Sequence, residues 1–215
     1  MAFVKTILKN NRIAGVYAIP SEQILQDGSF LDKVERVLAG GVSIIQYRAK
    51  SIPVEIQLQQ CEALHNLCSG FSALFIINDN IELAQKTGAD GIHLGADDDD
   101  IAAARETLGS DIIIGASCYN SVEKAEIAYN KGASYVAFGR FFPSNTKPDA
   151  PQASLQTIVE CKRKIDIPVV AIGGINDKNA KGVIDSGADS VAVIDYLFSA
   201  DSPKEAAESL VNLFI

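Results

Sequence analysis

Apolar residues along the chain gather in eight short runs, separated by longer stretches whose apolar positions recur at helical spacing. The runs are "GVYAI" (15–19), "SIIQYRA" (43–49), "ALFIIND" (73–79), "GIHLG" (91–95), "IIIGAS" (112–117), "SYVAFGRF" (134–141), "IPVVAIGG" (167–174) and "SVAVID" (190–195). They are rich in β-branched residues and nearly continuous in hydrophobicity, as expected of strands buried on both faces in a parallel sheet. Between them, "FLDKVERVLAGG" sets Leu31, Val34, Val37 and Leu38 on one stripe of a helix. "SVEKAEIAYNKGA" offers Ser121 as N-cap and Gly132 as stop. The endings "LAGG", "KTGAD", "NKGAS" and "DSGAD" repeat one device, a glycine that closes a helix before a short turn into the next strand.

Eight strand–helix alternations predict a closed (β/α)8 TIM barrel. An open doubly wound sheet is the competitor, but no G-x-G-x-x-G follows the first strand and no linker divides the chain. A single domain over 1–215 is expected, with a short segment of about 1–12 ahead of strand one. At 47% hydrophobic and 21% charged, 215 residues suffice for one sizeable core. The net charge of -8 argues against nucleic acid as a partner while leaving room for a local basic pocket. Cys61, Cys68, Cys118 and Cys161 form no CxxC pair, so buried reduced thiols are expected rather than a zinc or disulfide site. With no signal-peptide h-region and no apolar stretch long enough for a span, a cytoplasmic protein without a membrane partner is expected. A homo-oligomer stays open.

In a barrel of this kind the chemistry lies where strands end and loops begin. Strand two ends in Gln46, Arg48 and Lys50 at alternate positions, an amide and two cations suited to a polyanion. Strand three ends in Asn78 and Asp79, residues that suit either the N-cap of a helix starting at Ile81 or a Mg²⁺ site beside phosphates. Strand four leads into "HLGADDDD", where a carboxylate would lie near Asp79; His93, inside an apolar run, reads as a core or pocket-wall residue. Strand five ends at Ser117, and strand six ends in "GRFFPSNTKPDA", a basic and hydroxyl-rich loop in an acidic protein. Gly173 and Gly174 after strand seven let backbone N–H groups approach an anion, in the place where barrels often bind phosphate. Two anionic ends follow, one for a metal-bound diphosphate and one for a monophosphate, which suggests a transferase that releases diphosphate.

The stretches "QYRAK", "FIINDN", "GADGIHLGADD", "IGASC", "FPSNTKPDA", "VVAIGGI" and "GADSVAVID" resemble, in order and spacing, the thiamine-phosphate synthase family over roughly residues 43–198. Related thiazole tautomerases share the barrel but lack the hydroxyl-x-Thr-Lys loop, so "SNTK" points to the synthase. The resemblance implies joining of hydroxymethylpyrimidine diphosphate to thiazole phosphate, with release of diphosphate. It implies that Gln46, Arg48, Lys50, Asn78, Ser117 and Lys147 hold the pyrimidine diphosphate, with Tyr47 and Ala49 as further contacts. Arg48, Lys50, Ser117 and Lys147 would be the catalytic members. Asp79 and Asp98 would carry Mg²⁺, Asp98 because the family's acid stands five residues after the histidine of its HLG motif. Ser144, Asn145 and Thr146 would contact the thiazole phosphate together with Gly174 and the backbone of Ile194 and Asp195. The chain departs from the usual pattern at Ala96 for glutamine, Ser144 for threonine, Arg140 for proline and Asp195 for serine. Asp195 is expected to turn outward or to pair with a cation such as Arg140. A catalytically silent phosphate sensor is the alternative from another class, disfavoured by the intact Asp79, Asp98 and Lys147.

Overall fold

Each β-branched run forms a strand. A computed structural model of the protein describes residues 13–95, 101–143 and 151–215. Its strands are β1 (Gly15–Ala18), β2 (Ile44–Tyr47), β3 (Leu74–Asn78), β4 (Gly91–Leu94), β5 (Ile113–Tyr119), β6 (Tyr135–Phe138), β7 (Val169–Ile172) and β8 (Ser190–Val193). All neighbours are parallel, and β8 pairs with β1 to close the barrel. Helices follow the strands in sequence and pack outside them, which places the described residues in one (β/α)8 unit.

Strand periodicity divides the core into two shells. Inward positions such as Tyr17, Ile44, Leu74, Ile76, Ile113, Tyr135 and Val170 fill the barrel. Outward positions such as Val16, Ile45, Phe75, Ile92, Val136 and Val191 meet the helices through residues including Val34, Leu64, Leu83, Ile158 and Leu210. The helix Phe30–Ala39 buries Val34, Val37 and Leu38, whereas Leu31 is 37% exposed and leaves the expected stripe for its solvent edge. Ser121 caps Val122–Asn130 by accepting from the Lys124 N–H, as its position predicts, and the chain turns at Gly132. The strands are mostly shorter than the apolar runs because the run ends turn away from the sheet ladder. Arg140, for example, hydrogen-bonds through its backbone to Pro151 and Ala153 instead of continuing β6. β5 is longer than its run, and its register to β6 shifts between Ser117 and Tyr119.

The residues just before the even-numbered strands tie down the starts of the odd-numbered ones. Ser43 donates through Oγ to the carbonyls of Ala14, just before β1, and of Val16 within it. Asp90 accepts from the Phe75 N–H in β3, Ser134 from the Ile114 N–H in β5 and Asp189 from the Val169 N–H in β7. Thus the acid or hydroxyl after each "GA" in the repeated endings secures a backbone group at the lower rim.

Tyr135 enters the barrel only where β5 leaves space. A Cβ on Gly115 would lie 2.1 Å from the Tyr135 ring. Gly182, on an exposed helix face, has nothing within 4 Å of such a Cβ. Urea unfolding should therefore separate the two alanine variants. Gly115→Ala should lose about 1–3 kcal/mol by overpacking, while Gly182→Ala should gain up to about 1 kcal/mol from restricting the unfolded chain and favouring helix. Equal effects would contradict the role assigned to the missing side chain.

Candidate active site

The upper ends of the strands open into a cleft of about 370 Å³, a size suited to a small ligand. Gln46 and Arg48 reach it from β2 and the turn after it, Asn78 from β3, His93 from β4 and Ser117 with Tyr119 from β5. Gly139 and Pro143 contribute from the end of β6. Gly173, Gly174 and Asn176 come from the loop after β7, and Ile194, Asp195 and Tyr196 from the end of β8. Its floor is formed by Tyr17, Tyr135, Ala137, Val170 and Ala192.

The strand-two residues separate in the structure. Gln46 is inward and buried, and Arg48 follows it to the cleft wall. Tyr47 has the opposite parity: its ring is buried against the helical shell and its hydroxyl donates to Gln60 Oε1 at 2.8 Å. Its side chain is therefore turned away from the cleft, against the contact that the resemblance implies. Ala49 and Lys50 lie beyond the strand and do not line the cleft. The Lys50 ammonium instead stands at the rim, 3.9 Å from Asp79 Oδ2.

Glu22, from the segment after β1, holds the chain that carries these cations. One carboxylate oxygen accepts the backbone N–H of Lys50, the backbone N–H of Ser51 at 2.6 Å and the Ser51 hydroxyl at 3.2 Å. The Ser51 and Lys50 N–H groups hold the Glu22 carboxyl below its ordinary value, with Arg48 adding in the same sense. Sequence reading overlooked Glu22, because its partners, two backbone N–H groups and one hydroxyl, lie almost thirty residues away.

The helix Ile81–Thr87 is capped by Asn80, whose Oδ1 accepts from the Leu83 N–H at 2.9 Å, and not by Asn78 or Asp79. Asn78 therefore stays on the cleft wall, and Asp79 takes a left-handed conformation with φ 60°. A partly exposed carboxylate at a strand end is chemically suited to Mg²⁺, which commonly uses one or two protein carboxylates and completes its shell with phosphate oxygens and waters. Asp98, Ser144, Asn145, Thr146 and Lys147 lie outside the described residues, as does Ala96.

The loop after β7 runs close to the one after β6. Gly174 has φ +65°, and a Cβ there would lie 2.3 Å from the Pro143 carbonyl oxygen. Asn179 fixes this loop by donating to the Gly174 carbonyl and accepting from the Asn176 N–H. Backbone N–H groups exposed in such a turn suit an anion. Asp195 is exposed, begins the short helix Asp195–Phe198 and borders the same end of the cleft. Arg140 supplies backbone: its Cα and Cβ pack beneath Gly173, and its N–H and carbonyl bond to Pro151 and Ala153.

A buried polar chain crosses the floor. Gln46 Nε2 donates to the Tyr17 hydroxyl at 2.6 Å, which is 3.1 Å from the Tyr135 hydroxyl. Tyr135 Oη is 3.0 Å from His93 Nδ1, and His93 Nε2 is 2.9 Å from Ser117 Oγ. Burial pushes both phenols well above their ordinary value, so they stay neutral. Tyr17 and Tyr135 were missed as site residues although their inward parity in two apolar strands was available as a signal. The cysteines are all buried and unpaired. Burial pushes Cys61, Cys68 and Cys118 up to about 12 and Cys161 up to about 11, which leaves them poor nucleophiles.

The Glu22 clamp has a pH signature. A carboxylate whose folded pKa is lowered stabilises above its unfolded value, and the contribution is lost as pH falls through the folded value. The Lys50 and Ser51 amides should thus be protected from hydrogen exchange near neutrality and lose protection, relative to intrinsic rates, on acidification below about pH 4. Glu22→Ala should remove that protection at every pH; unchanged exchange would show that the clamp is not formed.

Comparison with known proteins identifies the family and the fold. Residues 16–197 match the family model described as thiamine monophosphate synthase. The thiamine-phosphate synthase of Chromobacterium violaceum is 47% identical over 94% of this chain and 97% of its own. That of Methylobacillus flagellatus is 48% identical over 94% and 96% respectively. In three dimensions the chain superposes on thiamine phosphate pyrophosphorylase from Pyrococcus furiosus with a TM-score of 0.85 and 34% identity, covering 95% of this chain and 96% of the other. Bordered by Arg48 and Asn78 on one side and the Gly173–Gly174 turn on the other, the cleft is that of a chain belonging to the thiamine monophosphate synthase family.

Proposed function

We propose that this protein is a thiamine-phosphate synthase, a transferase that condenses hydroxymethylpyrimidine diphosphate with thiazole phosphate to form thiamine phosphate and diphosphate. The observation that carries the reading is a single cleft with two differently built ends, joined to family membership over residues 16–197. At one end stand Arg48 and Asn78, with Lys50 and Asp79 at the rim. At the other, the Gly173–Gly174 turn offers backbone amides.

The pyrimidine lies over the polar floor, where Gln46 and Ser117 can bond its ring or its diphosphate. Arg48 and Lys50 gather the diphosphate, and Lys147, four residues beyond Pro143, is assigned to the same group. Mg²⁺ would be held by Asp79 and Asp98 and would neutralise charge on the leaving diphosphate. Thiazole phosphate takes the Gly174 end together with Ser144, Asn145 and Thr146 and the backbone at Ile194 and Asp195. The reaction needs no side-chain nucleophile, in keeping with the buried, weakly acidic thiols. The protein's contribution is to place thiazole nitrogen against the pyrimidine methylene carbon, to stabilise the departing charge and to limit competition from water. Four buried, unpaired cysteines support a reducing, cytoplasmic location.

An assay with both substrates and Mg²⁺ should yield diphosphate and thiamine phosphate in equal amounts, with activity abolished by EDTA. Lys147→Ala should lower kcat/KM by about 100-fold or more. Asp79→Ala should abolish turnover while leaving thiazole phosphate binding intact. Undiminished turnover in EDTA would overturn the metal assignment, and absence of thiamine phosphate would overturn the reading itself.

Asp195→Ser tests the other end. If backbone groups hold the phosphate, its dissociation constant should change by less than about threefold. Tightening of about tenfold, equivalent to about 1.4 kcal/mol, would place the carboxylate against the phosphate.

A further inference from the structure

The five-residue chain across the floor has a direction as well as a path. Each phenol has one hydrogen to donate, and a neutral imidazole has one N–H and one acceptor nitrogen. Gln46 Nε2 donates to Tyr17, so the Tyr17 hydrogen is free to pass to Tyr135. Tyr135 then donates to His93 Nδ1, and His93 must carry its hydrogen on Nε2, where it donates to Ser117 Oγ. The Ser117 hydrogen has thereby been left for a partner in the cleft that Ser117 lines.

The opposite direction would make Ser117 donate to His93 and leave only lone pairs facing the cleft. Phosphate oxygens and neutral ring nitrogens accept hydrogen bonds, so that arrangement would oppose such a ligand. The chain is also well enclosed: Gln46 is 3% exposed, Tyr17 1% and Tyr135 0%. Water therefore has little access to the links among these three, which are constrained to reorient together, while His93 and Ser117 are half-buried and carry the chain to the cleft.

We propose that Tyr17, Tyr135 and His93 are positioning residues that hold the imidazole as its Nε2–H tautomer and so fix Ser117 as a hydrogen-bond donor to the pyrimidine diphosphate substrate. The last clause rests on the synthase reading; the tautomer rests on Tyr17, whose buried hydrogen would have no acceptor among the described residues if Tyr135 donated to it as Gln46 does. None of the three need touch the reacting atoms. Their effect on turnover passes through one hydroxyl.

The second histidine supplies an internal contrast. His65 Nδ1 is 2.9 Å from the Thr87 carbonyl oxygen, which can only accept, so His65 requires a hydrogen on Nδ1. The chain has only these two histidines. Long-range proton–nitrogen NMR spectra of the ¹⁵N-labelled full chain at pH 7.5 should show His93 protonated on Nε2 with a pyridine-type Nδ1. His65 should be protonated on Nδ1, with His65→Asn used to assign the signals. A His93 protonated on Nδ1, or on both nitrogens, overturns the proposal without need of any variant.

Tyr135→Phe keeps the ring beside Gly115 but removes the donor to His93, and should shift the imidazole toward a mixture of tautomers. It should lower kcat/KM about tenfold, the worth of one such hydrogen bond. In a Ser117→Ala background the same change should cost less than about twofold, because its route to the substrate is gone. Independent, multiplying losses would overturn the positioning role even if the tautomer were as expected. If no thiamine phosphate forms with the wild-type chain, the synthase reading fails while the spectra still decide the direction of the chain.

Discussion

A large phenol can occupy the centre of this barrel because one position of the neighbouring strand carries no side chain. Tyr135 fills the space that Gly115 leaves, and from there its hydroxyl reaches both Tyr17 and His93. The barrel interior is otherwise packed with aliphatic residues such as Ile44, Leu74, Ile76, Ile113 and Val170. Polar atoms placed at that depth are costly unless each has a partner. The floor of the cleft meets that condition with a continuous chain of side chains, so the last groups of the apolar core are also the first groups of the active site.

Above this floor, precision comes from loops that are tied down by side chains outside the reaction. Glu22 gathers the backbone of Lys50 and Ser51, and Asn179 fixes the turn that presents Gly174. Asn80 takes over the capping of its helix and leaves Asp79 at the rim. Each tie uses a side-chain atom to satisfy a backbone group, and so determines where a neighbouring charged or amide-bearing residue stands. With every thiol buried and pushed up, the cleft depends on such placement more than on an unusually reactive cysteine.

The alternation of buried runs and helical stripes made the barrel legible in the sequence, and the rule that strands end at the active site pointed to Gln46, Arg48, Asn78, Ser117 and Gly174. All of these reach the cleft. Parity counted forward from Gln46 also suggested that Lys50 would share its face, but β2 stops at Tyr47 and alternation ceases to apply. Tyr47 illustrates the opposite limit: family resemblance nominated it, whereas parity sends its ring to the helical shell. Tyr17 and Tyr135 lie within strands rather than at their ends, so attention to strand ends alone passed over them. Glu22 could not be reached by pattern, since its partners are two backbone N–H groups and a lone hydroxyl almost thirty residues away.

The opposite rim has its own order. Ser43, Asp90, Ser134 and Asp189 each stand just before an even-numbered strand and secure the start of the odd-numbered strand beside it. Closure at this end thus repeats every two strands, and the barrel is assembled as four quarters, each with its own latch. No latch shares a residue with the cleft. Catalytic loops can therefore diverge at one end while the quarters remain fastened at the other, which is how a single architecture can keep its shape as its chemistry changes.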